Sequence, residues 1–438
     1  MVRRVLGDAI ASLSVAGFKS IAREQTIEIR PLTLLAGTNS SGKSSMLQPL
    51  LLLKQTLENS YDPGALMLDG PNVKFSSAKQ LLFRGQSPRR NKFSIDVRLH
   101  SNFSVGLTFR HGTAGGFLTE AMRVRSGESS NEIALRHSMT SDEIRELIIR
   151  DLAPEPDRHL FESDNSTLRI AQERCWLGIA SSRPRLYRAL LSTSLTEPVE
   201  TFIAESIHLP GLRGNPERSY PRAAVRDEFP GRFQDYMASI VAEWQRKGEV
   251  QRLSDSLARL GLTWKVRTED IDDTRVELQV GRLPRARQGG ARDLVNIADV
   301  GLGVSQVLPV LVALQVAHRG QLVMLEQPEI HLHPRAQMLL ASELAAAANR
   351  GVQVVAETHS SLLLRGVQTA VADETLSPDL VKLHWFQRDP TSGVTTVASA
   401  DLDEAGAFGD WPEDFDDVAL SSERAYLDAA ELSGASGW

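Results

Sequence analysis

The chain has 438 residues, enough for two or three structural lobes at about 150 residues each. Its composition, 42% hydrophobic and 24% charged, excludes collagen-like, disordered and disulfide-scaffold classes. One cysteine, Cys175, can form neither an intrachain disulfide nor a zinc cluster, so the chain suits a reducing cytosol. The net charge of −6 is unevenly spread. From Asp401 to Trp438 eleven acids face one base, Arg424, a local charge of −10 that leaves residues 1–400 at +4. A basic working face is therefore open, with the acidic tail either a partner surface or a solvated end.

No apolar run approaches the roughly 18 residues a membrane helix needs. The basic, mildly apolar N-terminus lacks the compact apolar segment of a signal peptide. Leu13 and Val15 alternate with Ser12 and Ser14, which reads as a strand. TIEI and LTLLAG continue as strands to residue 36, and GTNSSGKSS follows. A leucine-rich helix, Met46 to Leu57, comes next, with Pro49 near its start.

Residues 59–292 carry mixed signals. KFSIDVRL and FSVGLTF alternate as a hairpin with Ser101-Asn102 at its turn, and Ser141 to Leu152 reads as a serine-capped helix. Arg232 to Leu262 reads as a helix pair hinged near Gly248, and TWKVRT and RVELQV return to strand. Beyond the basic stretch LPRARQGGAR the pattern is plainly α/β. A helix from about Ser305 to Ala317 precedes the buried strand in QLVMLEQPE. The helix Pro334 to Asn349 then precedes a second buried strand in GVQVVAETHS.

Four motifs carry chemistry. GTNSSGKS, Gly37 to Ser44, satisfies G-x-x-x-x-G-K-[ST] between a strand and a helix. Its glycines let backbone N–H groups wrap phosphates, Lys43 can reach the β- and γ-phosphates, and Ser44 can bind Mg²⁺. VMLEQPEIHLHP ends a strand in carboxylates: Glu326 stands where Mg²⁺ is held, and Gln327 stands where a water-orienting carboxylate is usual. A glutamine can position water but cannot take its proton, so hydrolysis is slow or uses Glu329. The His331-x-His333 pair with Glu329 is a second, metal-binding reading of the same loop. DVGLGVSQ places Gly303 and Ser305 at a helix N-terminus, a ready anion site. ETHSS puts His359 at the C-terminal tip of a strand, the edge where α/β sheets bind ligands.

These elements, in this order and with an N-terminal GFKSI turn, resemble ATPases of the ATP-binding-cassette type in their SMC-like and OLD-like branch. More closely, the chain resembles bacterial AAA-family ATPases with a short C-terminal domain of unknown function, here GDWPEDFDDV. The expected fold is an α/β P-loop NTPase head split by a large α+β insertion. Its halves are 1–58 and 293–400, the insertion is 59–292, and 401–438 is an acidic tail. The resemblance implies ATP and Mg²⁺ bound by Gly37, Asn39, Ser40, Ser41, Gly42, Lys43, Ser44 and Ser45, with Glu326 helping to hold the metal. It implies a homodimer or higher oligomer in which Gly303 and Ser305 of one copy meet the γ-phosphate held by the other, with His359 sensing it from the P-loop side. Antiphage defence beside a separate effector protein, or a DNA transaction, is the role so implied; a nucleotide-held clamp with little hydrolysis is the alternative. The 77 residues after Ser361 are too few for a Toprim nuclease domain, and none is expected. DNA would find two basic clusters, Arg84, Arg89, Arg90 and Lys92, and Arg282, Arg285, Arg287 and Arg292.

Overall fold

A computed structural model describes residues 9–85, 91–113, 115–126, 132–152, 166–182, 195–285 and 293–409, with 424 and 427. From the N-terminus, β1 (Ile10–Ala16) and β2 (Gln25–Glu28) lead to β3 (Leu32–Gly37), the P-loop and α1 (Lys43–Leu57). Next come β4 (Lys92–Leu99), β5 (Ser104–His111), β6 (Phe117–Arg125), β7 (Glu132–Arg136) and α2 (Ser141–Leu147). The helix predicted to Leu152 widens into a π turn after Leu147. Then follow β8 (Leu168–Glu173), β9 (Trp176–Ser181), α3 (Glu197–Glu205), β10 (Ile207–Leu209) and β11 (Tyr220–Pro221). α4 (Met237–Lys247) and α5 (Gln251–Arg259) are the predicted helix pair, parted by Gly248 at φ 77°. β12 (Val266–Asp270), β13 (Arg275–Gly281) and β14 (Leu294–Asn296) precede α6 (Leu302–Val316), β15 (Leu322–Glu326), α7 (Pro334–Asn349) and β16 (Gln353–Glu357). α8 (Ser361–Ala372), β17 (Val381–Arg388) and β18 (Thr395–Ala400) complete the order.

Two sheets organise the chain. The central one runs β10-β15-β16-β3-β17-β18, parallel except for the β17–β18 pair; the other, antiparallel, runs β2-β1-β4-β5-β6-β7. Central strands read as nearly unbroken apolar runs because both faces are covered. On β3, Leu34 and Ala36 enter the core beneath α6 and α7, while Leu35 enters the core that α1 shares with the antiparallel sheet. Val354 and Ala356 divide from Val355 on β16 in the same way. Leu50 through Leu53 of α1 are all buried because that helix is enclosed all round, which accounts for its unbroken leucine run.

Strand pairing crosses the expected limits of the insertion, since β4 pairs with β1 and β13 with β14. β10 lies inside the stretch read as the insertion, 59–292, yet it pairs in parallel with β15 and forms an edge of the central sheet. A three-residue strand is too short to leave a periodic signal. The acidic tail beyond Gly409, including DWPEDFDDV, lies outside the described residues apart from 424 and 427.

His384 on β17 is fully buried, with its ring between the Ser399 hydroxyl and the Glu28 carbonyl at 2.8 Å each. Burial, aided by the charge of Lys382, pushes its pKa down to about 4. The unfolded chain takes up this proton below about pH 6.5, whereas the folded chain does so only near 4. The stabilisation is therefore complete above 6.5 and lost as pH falls to 4, on the order of 3 kcal/mol. Urea midpoints at pH 7 and 4.5 should differ less in His384→Gln than in the native chain; an unchanged difference would contradict this assignment.

Candidate functional site

β3 delivers the P-loop. Gly37 has φ 141°, and a Cβ there would stand 2.2 Å from the Phe386 carbonyl, so only glycine lets the chain pass β17 at this point. Gly42 precedes α1 at φ 106° with no side-chain cap, leaving the first amides of the helix free to bind an anion. β18 supports the loop from beneath, where Thr395 donates to the Ser41 carbonyl at 2.7 Å. The loop also holds its own lysine. Lys43 Nζ donates to the Gly37 and Thr38 carbonyls at 3.0 and 2.9 Å and lies 3.5 Å from Ser41 Oγ. Burial lowers its pKa, and the charge of Glu357 opposes the shift.

Above the loop is a cleft of about 760 Å³. Asn39 to Ser45 form its floor, and Gln327, Glu357 and His359 enter it from the ends of β15 and β16. Lys19, Arg84 and Arg388 bring positive charge to its walls, and Gln80 lines it as well. Lys19 sits in a left-handed turn, φ 48°, with its ammonium 4.6 Å from the Phe75 ring centre; this is the GFKSI turn singled out in the sequence.

Glu326, read in the sequence as holding the metal with Ser44, has its Oε1 3.4 Å from His208 Nε2, and its Oε2 accepts the Gly211 amide at 3.2 Å. Burial would raise its pKa, but His208, that amide and Arg213 outweigh it and hold the carboxyl below the usual range. The carboxylate at Ser44 is Glu357, which accepts from Ser44 Oγ at 3.0 and 2.8 Å. Burial, reinforced by the charge of Glu326, pushes Glu357 up to about 7 against the Ser44 hydrogen bond. Glu357 is the residue that sequence reasoning missed. It stands within ETHSS, but its value depends on β16 lying between β15 and β3.

Glu329 is 5% exposed and accepts from Thr358 Oγ1 at 2.6 Å and from the His359 amide at 3.2 Å. It therefore clips the turn that carries His359. Burial raises its pKa despite these bonds. The metal reading of the His331–His333 pair does not hold: His333 caps α7 by accepting from the Arg335 amide. Among the described residues no three His, Cys, Asp or Glu side chains could hold an ion together.

Gly303 and Ser305 lie in the first turn of α6, which begins at Leu302, three residues before the predicted start, because Gly301 takes an extended N-cap conformation. Neither lines the cleft. A strut joins this turn to the end of β15. Arg213, from the loop after β10, donates to the carbonyls of Gln306, Glu326 and Gln327 at 3.2, 3.0 and 3.1 Å. Gln306 Nε2 returns a bond to the Gly214 carbonyl at 2.7 Å. Gln327 needs such support, since its φ of 44° is unusual for a residue with a side chain.

Of the basic clusters, Arg84 lines the cleft, Lys92 pairs with Glu120 and Arg282 with Asp293. Arg89, Arg90, Arg287 and Arg292 lie outside the described residues. Among the described residues, no helix is long and apolar enough to cross a membrane.

The donor set suits a magnesium nucleotide: free amides at the start of α1, an ammonium, a hydroxyl beside a carboxylate, and three further cations. Solved structures that the chain resembles include an SMC head bound to the C-terminal winged-helix domain of ScpA, at 13% identity, covering 91% of this chain and 99% of that one with a TM-score of 0.46. The SMC head domain from Thermotoga maritima aligns at 12% identity over 89% and 98%, with a TM-score of 0.39. The Smc head with an extended coiled coil from Pyrococcus furiosus, bound to the C-terminal domain of ScpA, aligns at 12% over 90% and 96%, with a TM-score of 0.46. No curated protein matches the chain. The chain has a mixed α/β P-loop NTPase fold, and residues 198–365, from α3 through the first turn of α8, are similar to the family model described as "AAA domain, putative AbiEii toxin, Type IV TA system".

Proposed function

We propose that the protein binds ATP with Mg²⁺ in the P-loop cleft and hydrolyses it slowly, as the ATPase component of a bacterial defence or DNA-processing system that acts through a separate effector. The observation that carries this reading is the convergence of Lys43, Ser44, Gln327, Glu357 and His359 on one cleft at the C-terminal edge of the parallel sheet. Bound metal would neutralise phosphate charge; Ser44 and a neighbouring carboxylate would hold it. Lys43 and the amides of α1 orient the phosphates, and Gln327 orients water without accepting its proton. His359 faces the same space as a hydrogen-bonding group; burial and the charge of Lys43 lower its pKa, so it is neutral at pH 7.

Gly303 and Ser305 stand apart from the cleft of their own chain, which favours their use on a second copy. ATP would then be shared across a head-to-tail homodimer, and Arg213 would link the first turn of each α6 to its own Gln327. The clamp reading draws support from Gln327 in the cleft and from Glu329 being engaged by Thr358 and His359. The two readings separate in one experiment: ATP turnover and solution mass with Mg·ATP for the native chain and for Gln327→Glu. A hydrolysing enzyme turns ATP over natively at a rate that Gln327→Glu alters by less than about tenfold. A clamp shows ATP-held dimers with negligible turnover, raised about 10²-fold by Gln327→Glu. Absence of both turnover and ATP-dependent mass change would exclude both.

A further inference from the structure

β15 and β16 are parallel and in register, with Glu326 opposite Glu357, so two carboxylates end neighbouring strands beside the P-loop. They are not equivalent. Glu326 is taken up on the β10 side by His208 and the Gly211 amide. Glu357 is also paired with Leu35 of β3, the strand that feeds the P-loop, and it lines the cleft together with Lys43 and Ser44. It is 6% exposed, and the hydrogen bonds its carboxylate receives come from the Ser44 hydroxyl. A carboxylate so withdrawn from water is costly unless a cation compensates it. A hard divalent ion takes a serine hydroxyl and a carboxylate oxygen together as ligands.

We propose that Glu357, rather than Glu326, is the carboxylate that binds the divalent cation beside Ser44, and that the Ser44–Glu357 hydrogen bond is the metal-free form of that site. The strand that leads into His359 thereby also carries a metal ligand at its last residue, so cation binding and the position of His359 are joined through two residues of chain. Glu326 then acts as a positioning residue that ties β15 to β10 and its loop. This inference rests on the nucleotide-binding reading above.

The test uses the full chain and Mn²⁺, with free Mn²⁺ followed by electron paramagnetic resonance at a saturating non-hydrolysable ATP analogue. Nucleotide binding in EDTA is measured alongside. Glu357→Gln keeps the size of the side chain and its ability to accept from Ser44, so the fold should persist. We expect Mn²⁺ affinity to fall at least tenfold in Glu357→Gln, less in Glu357→Asp, and less than threefold in Glu326→Gln. Nucleotide affinity in EDTA should not fall in any of the three, since the loss expected is of the metal and not of the phosphate contacts. A loss confined to Glu326→Gln, equal losses in both glutamine variants, or an unaltered Mn²⁺ affinity in Glu357→Gln would each overturn the assignment. Failure of the native chain to bind the analogue, with or without Mn²⁺, would instead overturn the nucleotide-binding reading itself.

Discussion

Lys43→Ala should weaken nucleotide binding by about two orders of magnitude, on the order of 2.7 kcal/mol, while shifting the thermal midpoint by only about 3 °C or less. The ammonium lies within 3.5 Å of three oxygens of its own loop and is therefore already aimed where phosphate oxygens would compete for it. Charge-assisted bonds of this kind are worth about 1.5–3 kcal/mol each, which sets the size of the loss. Stability is spared because the buried ammonium carries a desolvation cost, seen in its lowered pKa, that offsets most of what its bonds return. Calorimetric titration with a non-hydrolysable analogue, beside a thermal melt, decides the matter. Native-like affinity in Lys43→Ala would show that the cleft is not the nucleotide site.

Arg213→Ala should cost about 2–3 kcal/mol of stability, because three backbone carbonyls, those of Gln306, Glu326 and Gln327, lose their donors together. Burial lowers the guanidinium pKa to about 10, still far above neutrality, so the strut is charged at every pH at which the protein works. Arg213→Lys should recover only part of the loss, since a single ammonium cannot span carbonyls on both β15 and α6 as the planar fork does. The effect should also reach the chemistry. With its carbonyl released, the left-handed backbone of Gln327 relaxes, and turnover should fall in both variants more than nucleotide affinity does. Urea midpoints together with a kcat-against-KM comparison test this, and a variant with native midpoint and turnover would remove Arg213 from the site.

The local pattern was sufficient for the elements that build the cleft. A glycine loop between an apolar strand and a leucine-rich helix, and two further apolar strands with polar tips, are signals held within about ten residues each. The structure realises them as β3, α1, β15 and β16. Gly37 and Gly42 were legible for the same reason, because a positive φ is a property of one residue and glycine is the residue that tolerates it. The helix pair parted at Gly248 follows the same logic.

What the sequence left open depends on strand order. Glu326 and Glu357 read alike as acids at strand tips. Only the order β10-β15-β16-β3 turns one toward His208 and sets the other over Ser44. The loop after β10 carries no local sign of its role, because its Arg213 acts on carbonyls 93 to 114 residues away. Glu329 reads in the sequence as a carboxylate near Gln327, and only the fold shows that its Oε1 accepts from Thr358 and His359 while its buried Oε2 has no hydrogen-bond partner among the described residues. The sequence by itself determined which segments could bind phosphate, since that ability resides in backbone conformation and adjacent side chains. Which carboxylate meets Ser44, and what braces Gln327, only the tertiary structure decided, because hydrogen bonds form between atoms brought within about 3 Å of one another, wherever they lie along the chain.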